Sequence, residues 1–314
     1  MRALNIKLWA VLPVILLIHT APSFAQTVCD AAEVKLGNNY IQVAPTAVDD
    51  TANIQCALDL AIEKRIPEIR LTRGDFLISS LLAKGFAGTL QGGGRDHTRI
   101  TLLEQSIDCG NTSAIVTFSG GEPRIRWLAL IWPEGRHPCT GGEGWLYQLL
   151  RFTGSVDGQA ACNNVSYATV DRVALSGPST GWPDGWAYTA GVVSESSCSD
   201  VVLGTLRVNR SVISGFGFGV YARMGGGAQV GIFHNVLDGN HTGFGTDIPD
   251  AVVTVSGNRF ASTPISSFSS CHGAGIGMLV GAGVASQGLR RLDVYGNTFD
   301  VSDRGSSCEG LGLK

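Results

Sequence analysis

One phrase is repeated three times in the last third of this chain, and it restricts the fold more than any other feature. Val252–Phe260 reads VVTVSGNRF, Leu289–Phe299 reads LRRLDVYGNTF and Gln229–Leu237 reads QVGIFHNVL. Each is a short strand of alternating apolar residues, then Asn, then a second short apolar pair. Asn235 and Asn258 are 23 residues apart, and Asn258 and Asn297 are 39 apart. Upstream, Gly215 precedes Gly239 by 24 residues, and Gly177 precedes Gly215 by 38. A period near 23 with occasional longer steps is the mark of a solenoid whose coils accept insertions at one edge. No helical periodicity lies between the repeats, so the coils are built of strands. Asn suits a corner because it tolerates left-handed backbone and its amide can bond backbone or the next Asn in a stack. The expected fold is an all-β, right-handed parallel β-helix.

Composition fits a single solenoid. Glycine supplies 42 of 314 residues, as many tight turns between short strands require. Charged residues make up only 16%, and the net charge is −3. No basic stripe for nucleic acid is expected from this, and no long amphipathic helix for a membrane surface. Residues 1–25 read as a signal peptide. Arg2 and Lys7 precede the apolar run Leu8–Ile18, and Ser23-Phe24-Ala25 forms a small-x-small cleavage site. The run is too short for a membrane span, so residues 26–314 are expected as one secreted or periplasmic domain. All eight cysteines follow the cleavage site, an even number that predicts disulfides in an exported chain. Cys162 and Cys198 are 36 apart, and Cys271 and Cys308 are 37 apart. Both intervals are near the long repeat steps, which predicts bridges between successive coils. By proximity the remaining pairs are Cys29–Cys56 and Cys109–Cys139. No CxxC or HxxxH spacing supports a structural zinc site.

One amphipathic helix is expected at about 50–65, in VDDTANIQCALDLAIEKRIPE. Asp49, Asp50 and Thr51 are cap residues, Ile54, Leu58, Ala61 and Ile62 share a face, and Pro67 ends it. Its expected role is to plug the open end of the solenoid. Ile69–Ser79 (IRLTRGDFLIS) and Thr89–Leu102 (TLQGGGRDHTRITL) follow directly. A helix opening D-D-T, a strand with a G-x-F turn and a G-x-G-x-x-x-T-x-I coil, in this order, resemble the N-terminal section of the pectate-lyase superfamily of pectin-lyase-like β-helix proteins. The motifs cover roughly residues 48–105. The resemblance implies a secreted protein that handles polysaccharide.

Candidate chemistry follows from phasing the coils on the corner Asn. The strands after the variable loops fall at Leu146–Phe152, Tyr188–Glu195, Phe216–Arg223, Gly243–Asp247 and Gly275–Val280. Arg151, Glu195, Arg223 and Asp247 then lie late in successive copies of one strand, about 5 Å apart per step. This plus-minus row on an exposed face is the candidate catalytic set. A cation can bind a uronate, a basic group can remove the proton alpha to it, and carboxylates can hold calcium or orient the sugar. Arg223 is the candidate base or carboxylate binder, with Glu195 and Asp247 as metal or orienting carboxylates. As a simple surface ladder the same row would contribute at most about 1 kcal/mol per pair. The loop PSTGWPDGW places Trp182, Asp184 and Trp186, with nearby Tyr188, at the rim of that face as candidate substrate-binding groups. His241, in a turn beside Gly243, could reach the Asp247 strand, while His234 should be a solvated outward residue. Sequons begin at Asn111, Asn164, Asn209 and Asn240.

The chain departs from the family in its chemistry. The paired-Asp and G-H-G signatures of pectin-hydrolysing relatives are absent, and so are the Arg and multi-Asp calcium signatures of pectate lyases. The candidate row therefore rests on phasing alone. Two functions stand at this point: a polysaccharide-active enzyme, lyase before hydrolase, and a non-catalytic glycan-binding or surface-structural β-helix. The chain stops at Leu311–Lys314, in the middle of an expected strand; the expectation is that a loop folds over the exposed edge, that a partner chain stacks on it in self-association, or that the sequence is truncated. No metal beyond calcium is suggested.

Overall fold

In the computed structural model, the residues described are 29, 32–103, 114–133, 147–154, 167–178, 189–195, 204–223, 228–240, 242–246, 248, 250–261, 276–280 and 289–300. They form three parallel sheets wound into a β-helix, each coil contributing one strand to each sheet in turn. Sheet A contains Glu68–Leu71, Thr89–Gln91, Arg124–Arg126, Tyr167–Asp171, Thr205–Asn209, Gln229–Phe233, Val252–Ser256 and Arg291–Tyr295. Ile41–Val43 precedes them in parallel, and Val34–Leu36 closes the N-terminal edge antiparallel. Sheet B runs Gly74–Ile78, Thr98–Leu102, Ala129–Ile131, Ala174–Ser176, Val212–Ser214, Val236–Asp238, Arg259–Ala261 and Thr298–Asp300. Sheet C holds Leu81–Lys84, Ala114–Ser119, Tyr147–Thr153, Thr189–Glu195, Phe218–Arg223, Thr242–Thr246 and Ile276–Val280. The last five lie within two residues of the strand starts expected from the Asn phasing.

Period-two alternation buries one side of most strands of sheets A and B, and register stacks like on like. Ile100, Leu130, Leu175, Ile213, Leu237 and Phe260 are successive partners in sheet B, all nearly fully buried. Phe86, Phe118 and Phe152 continue the core as a ring column, with centroids 5.9 and 5.8 Å apart.

The corner between sheets A and B carries an amide ladder. Asn235 Oδ1 accepts from Ser211 N at 2.9 Å, Asn258 Oδ1 from Asn235 N at 2.8 Å, and Asn297 Oδ1 from Asn258 N at 2.9 Å. Each Nδ2 donates backward as well, to Val208 O, Ile232 O and Val255 O respectively. Asn235 and Asn258 are 1% exposed, so every polar atom of each amide works inside the protein. The three expected corner residues do stack, but the left-handed residue is the one before each Asn. Trp127, Arg172, Arg210 and His234 have φ of 55, 54, 49 and 54°, and in the next two coils the position is Gly257 and Gly296. Glycine adopts this backbone freely, whereas each other residue stores about 1 kcal/mol or more. The sequons at Asn209 and Asn240 fall in this framework: Asn209 Nδ2 bonds Asp171, and Asn240 is buried with Oδ1 on Phe216 N and Nδ2 on Ile213 O.

The helix, Thr51–Lys64, covers the N-terminal end with Ile54, Ala57, Leu58, Leu60 and Ala61 buried, and Ile62 at the margin. Two expectations for its ends are corrected. Asp50 makes no side-chain cap. Fully buried, its carboxylate accepts from Thr46 N and Oγ1 and from Leu77 N, tying the chain to sheet B. The helix stops before Pro67, at Arg65, whose left-handed φ of 55° lets Arg65 N and Ile66 N bond Ile62 O and Ala61 O. Gln55 pairs with both Leu82 N and Leu82 O, so the cap is stitched to the first strand of sheet C. The Cys29–Cys56 disulfide expected from proximity is formed. Cys109, Cys139, Cys162, Cys198, Cys271 and Cys308 lie outside the described residues. At the other end, the inward-turned Leu292 and Val294 are 40% and 37% exposed.

Two outcomes follow. Asn258→Ala leaves Asn235 N and Ile232 O without their partner inside the protein and should cost about 2–4 kcal/mol, measured by urea unfolding; a loss under 0.5 kcal/mol would contradict the ladder. Opening Cys29–Cys56, which closes a 27-residue interval, should cost about 3 kcal/mol, read as a drop in thermal midpoint for Cys56→Ser.

Candidate functional site

Sheet C brings three of the four residues in the expected charged row to its outer side. Glu195 and Arg223 are direct register partners. Arg151 is displaced from the expected register: its Cα pairs with Val193, and Thr153 is the partner of Glu195. The long guanidinium spans the two-residue offset and forms an ion pair with Glu195. Asp247 lies outside the described residues. So do Trp182, Asp184, Trp186, Tyr188 and His241.

The row is less exposed than a simple surface ladder. The side chains of Arg151 and Glu195 are only 28% and 24% exposed, whereas Arg223 is open to solvent. Water screens a pair in that position less than one on an open surface, so its hydrogen bonds contribute more.

The outer side also holds residues that charge phasing does not find. Gly219 and Val220 both face the interior: a Cβ on Gly219 would meet Leu237 Cδ2 at 3.0 Å, and Val220 is fully buried. Two consecutive inward residues break the alternation and turn Phe218 outward. Its ring packs against Tyr221, with centroids 4.9 Å apart. Both rings lie over Gly245, where a Cβ would be 3.0 Å from Phe218 and 3.3 Å from Tyr221. The small residue in one coil thus makes room for a two-ring platform from the coil before. Gln148, two strands away, is 4% exposed, and its Oε1 has no hydrogen-bond partner among the described residues. The only hint of the platform in the sequence is the aromatic and glycine alternation of FGFGVYAR.

A paired Arg–Glu, a neighbouring guanidinium and a partly exposed aromatic pair can together recognise a carboxylated, hydroxyl-rich ring. Calcium fits the described residues poorly. It needs six to eight oxygens, Glu195 is engaged by Arg151, and no cluster of three or more His, Cys, Asp or Glu occurs among the described residues. No helix among them is long and apolar enough to cross a membrane.

No protein-family model matches this sequence, and no curated protein matches it. Among solved structures, the chain is similar to the crystal structure of Escherichia coli YbhC, with 14% identity, 75% of this chain and 68% of that chain covered, and a TM-score of 0.43. At that distance no residue role transfers, and the parallel β-helix stands on the strand order and register.

The energetics of the row are testable. Glu195→Gln removes the charge partner of a largely buried guanidinium and should lower stability by about 1–2 kcal/mol, whereas Arg223→Ala should change it by less than about 0.5 kcal/mol. Paired urea melts check both, and equal effects would contradict the burial difference.

Proposed function

We propose that this protein binds an acidic polysaccharide across the outer side of sheet C and cleaves it by β-elimination. The observation that carries the reading is the juxtaposition of Arg151, Glu195 and Arg223 with the Phe218–Tyr221 platform. A uronate chain crossing this face finds a ring surface for its sugars, and a solvent-facing guanidinium in Arg223 for its carboxylate. Arginine stays protonated at any physiological pH, so Arg223 serves as the carboxylate binder rather than the base. Binding there stabilises the negative charge that develops on the carboxylate when the alpha proton leaves. Glu195, held in place by Arg151, is the proton acceptor in this reading. The glycosidic oxygen on the next carbon then departs with the electron pair of its C–O bond and takes a proton from solvent, which leaves a carbon–carbon double bond in the product. The Cys29–Cys56 disulfide supports action outside the cytoplasm after loss of the leader at 1–25.

A second reading is non-catalytic glycan binding. It is favoured by the Arg151–Glu195 ion pair, which engages the one carboxylate of the row among the described residues.

Incubation with polygalacturonate, alginate and hyaluronan, followed by ultraviolet absorbance of unsaturated products with and without calcium, separates the two. The lyase reading expects absorbance to rise with at least one polyuronate, and Arg223→Ala to lower that rate at least 100-fold. Binding without absorbance change supports the second reading. Neither binding nor turnover on any acidic glycan, in wild-type protein, would contradict both.

A further inference from the structure

The outer side of sheet A and its corner carry a second group of cations, on a different face from the row described above. Arg124, Thr169 and Arg207 are successive register partners, as are Arg126, Asp171 and Asn209. The corner adds Trp127, Arg172, Arg210 and His234 in four successive coils, joined by Trp127 N to Asp171 O, Arg172 N to Asn209 O and Arg210 N to Phe233 O. Aromatic rings interleave with the cations. The Arg126 guanidinium carbon lies 4.4 Å from the Trp127 ring centre, that of Arg172 lies 6.0 Å from the same ring, and that of Arg207 lies 5.0 Å from Phe233.

The charge on this face is unbalanced. Arg172 pairs with Asp171, and Arg126 bonds the neutral Gln91. Among the described residues no carboxylate pairs with Arg124, Arg207 or Arg210, all of them exposed. The protein as a whole has net charge −3, so this is a local concentration and not a chain-wide bias. The corner adds a second observation. Trp, Arg, Arg and His occupy a left-handed position that later coils fill with Gly257 and Gly296. Folding alone would favour glycine there, so each of these side chains stands at a backbone cost.

We propose that this guanidinium–aromatic band binds a linear acidic polysaccharide running along the solenoid axis. Coils repeat about every 4.8 Å, a step comparable to one sugar unit, so successive cations can meet successive carboxylates or sulfates while Trp127 and Phe233 take the sugar faces. Phosphates along a nucleic-acid duplex strand recur at about 3.4 Å, a poorer match to the coil step. The band requires no turnover at sheet C, and its test is separate from that of the lyase reading.

The test uses the double variants Arg172→Gly/Arg210→Gly and Arg124→Gln/Arg207→Gln in the full-length protein. Glycine suits the corner backbone, so the first variant should melt at or above the wild-type temperature. Binding of polygalacturonate, followed by affinity electrophoresis at 50 and 200 mM salt, should weaken at least tenfold in each variant and fall with salt in the wild type. Neutral dextran should not bind at this face. Both variants are measured also in an Arg223→Ala background, where the residual polygalacturonate binding and its further loss belong to the band and not to sheet C. Unchanged polygalacturonate affinity in both variants would overturn the proposal, as would tighter binding of single-stranded DNA than of polygalacturonate at the same salt.

Discussion

Everything in this molecule depends on one coil sitting on the next in a fixed phase. Parallel strand pairing alone allows a coil to slip by two residues without exposing its apolar side. The corner amides remove that freedom. Each Asn of the ladder reaches the backbone of the coil before it through both Oδ1 and Nδ2. Slippage would leave several buried polar atoms unpaired at once. The stacks of Ile, Leu, Val and Phe inside the coils contribute most of the favourable free energy, but such stacks are tolerant of exchange among themselves. Uniqueness comes from the amides.

A fixed phase turns a one-dimensional repeat into a surface with addresses. Outward positions of the same strand in different coils become neighbours, so a residue's chemistry is set by what lies 21 to 45 positions away. Arg151 reaches Glu195 in this way, and Phe218 with Tyr221 lies over Gly245. Insertions between sheets B and C, and between C and A, lengthen the sequence interval without disturbing the phase. The spacing of 39 between Asn258 and Asn297 gives the same hydrogen bond as the spacing of 23 between Asn235 and Asn258.

Much of this architecture was legible because the repeat and the corner residue coincide. Asn235, Asn258 and Asn297 stand out in the chain, and they stack as their spacing implies. Details that depend on backbone conformation were less legible. Attributing left-handed geometry to the Asn misplaced it by one position, because the amide fulfils its role from ordinary backbone while its predecessor makes the bend. Arg65 ends the helix two residues before Pro67, for a similar reason. The charged row was found by phasing, yet Arg151 sits two register positions from Glu195, because phasing placed both late in their strands without fixing the pairing: Arg151 is two residues from the end of Tyr147–Thr153, and Glu195 is the last residue of Thr189–Glu195. Phe218 was missed because two consecutive inward residues follow it, which no alternation rule anticipates. The cations of the corner were missed because attention to the Asn passes over the residue before it. The segments RIRW, TVDR and RVNR show the pattern once that position is known.

Hydroxyl-radical footprinting tests the central claim, that the phased outer side of sheet C is where an acidic glycan lies. With oligogalacturonate bound, oxidation should fall at Phe218 and Tyr221 and stay unchanged at Leu36 and Leu82, which are 60% and 41% exposed at the capped end. Bound oligosaccharide with undiminished oxidation of both Phe218 and Tyr221 would contradict the account.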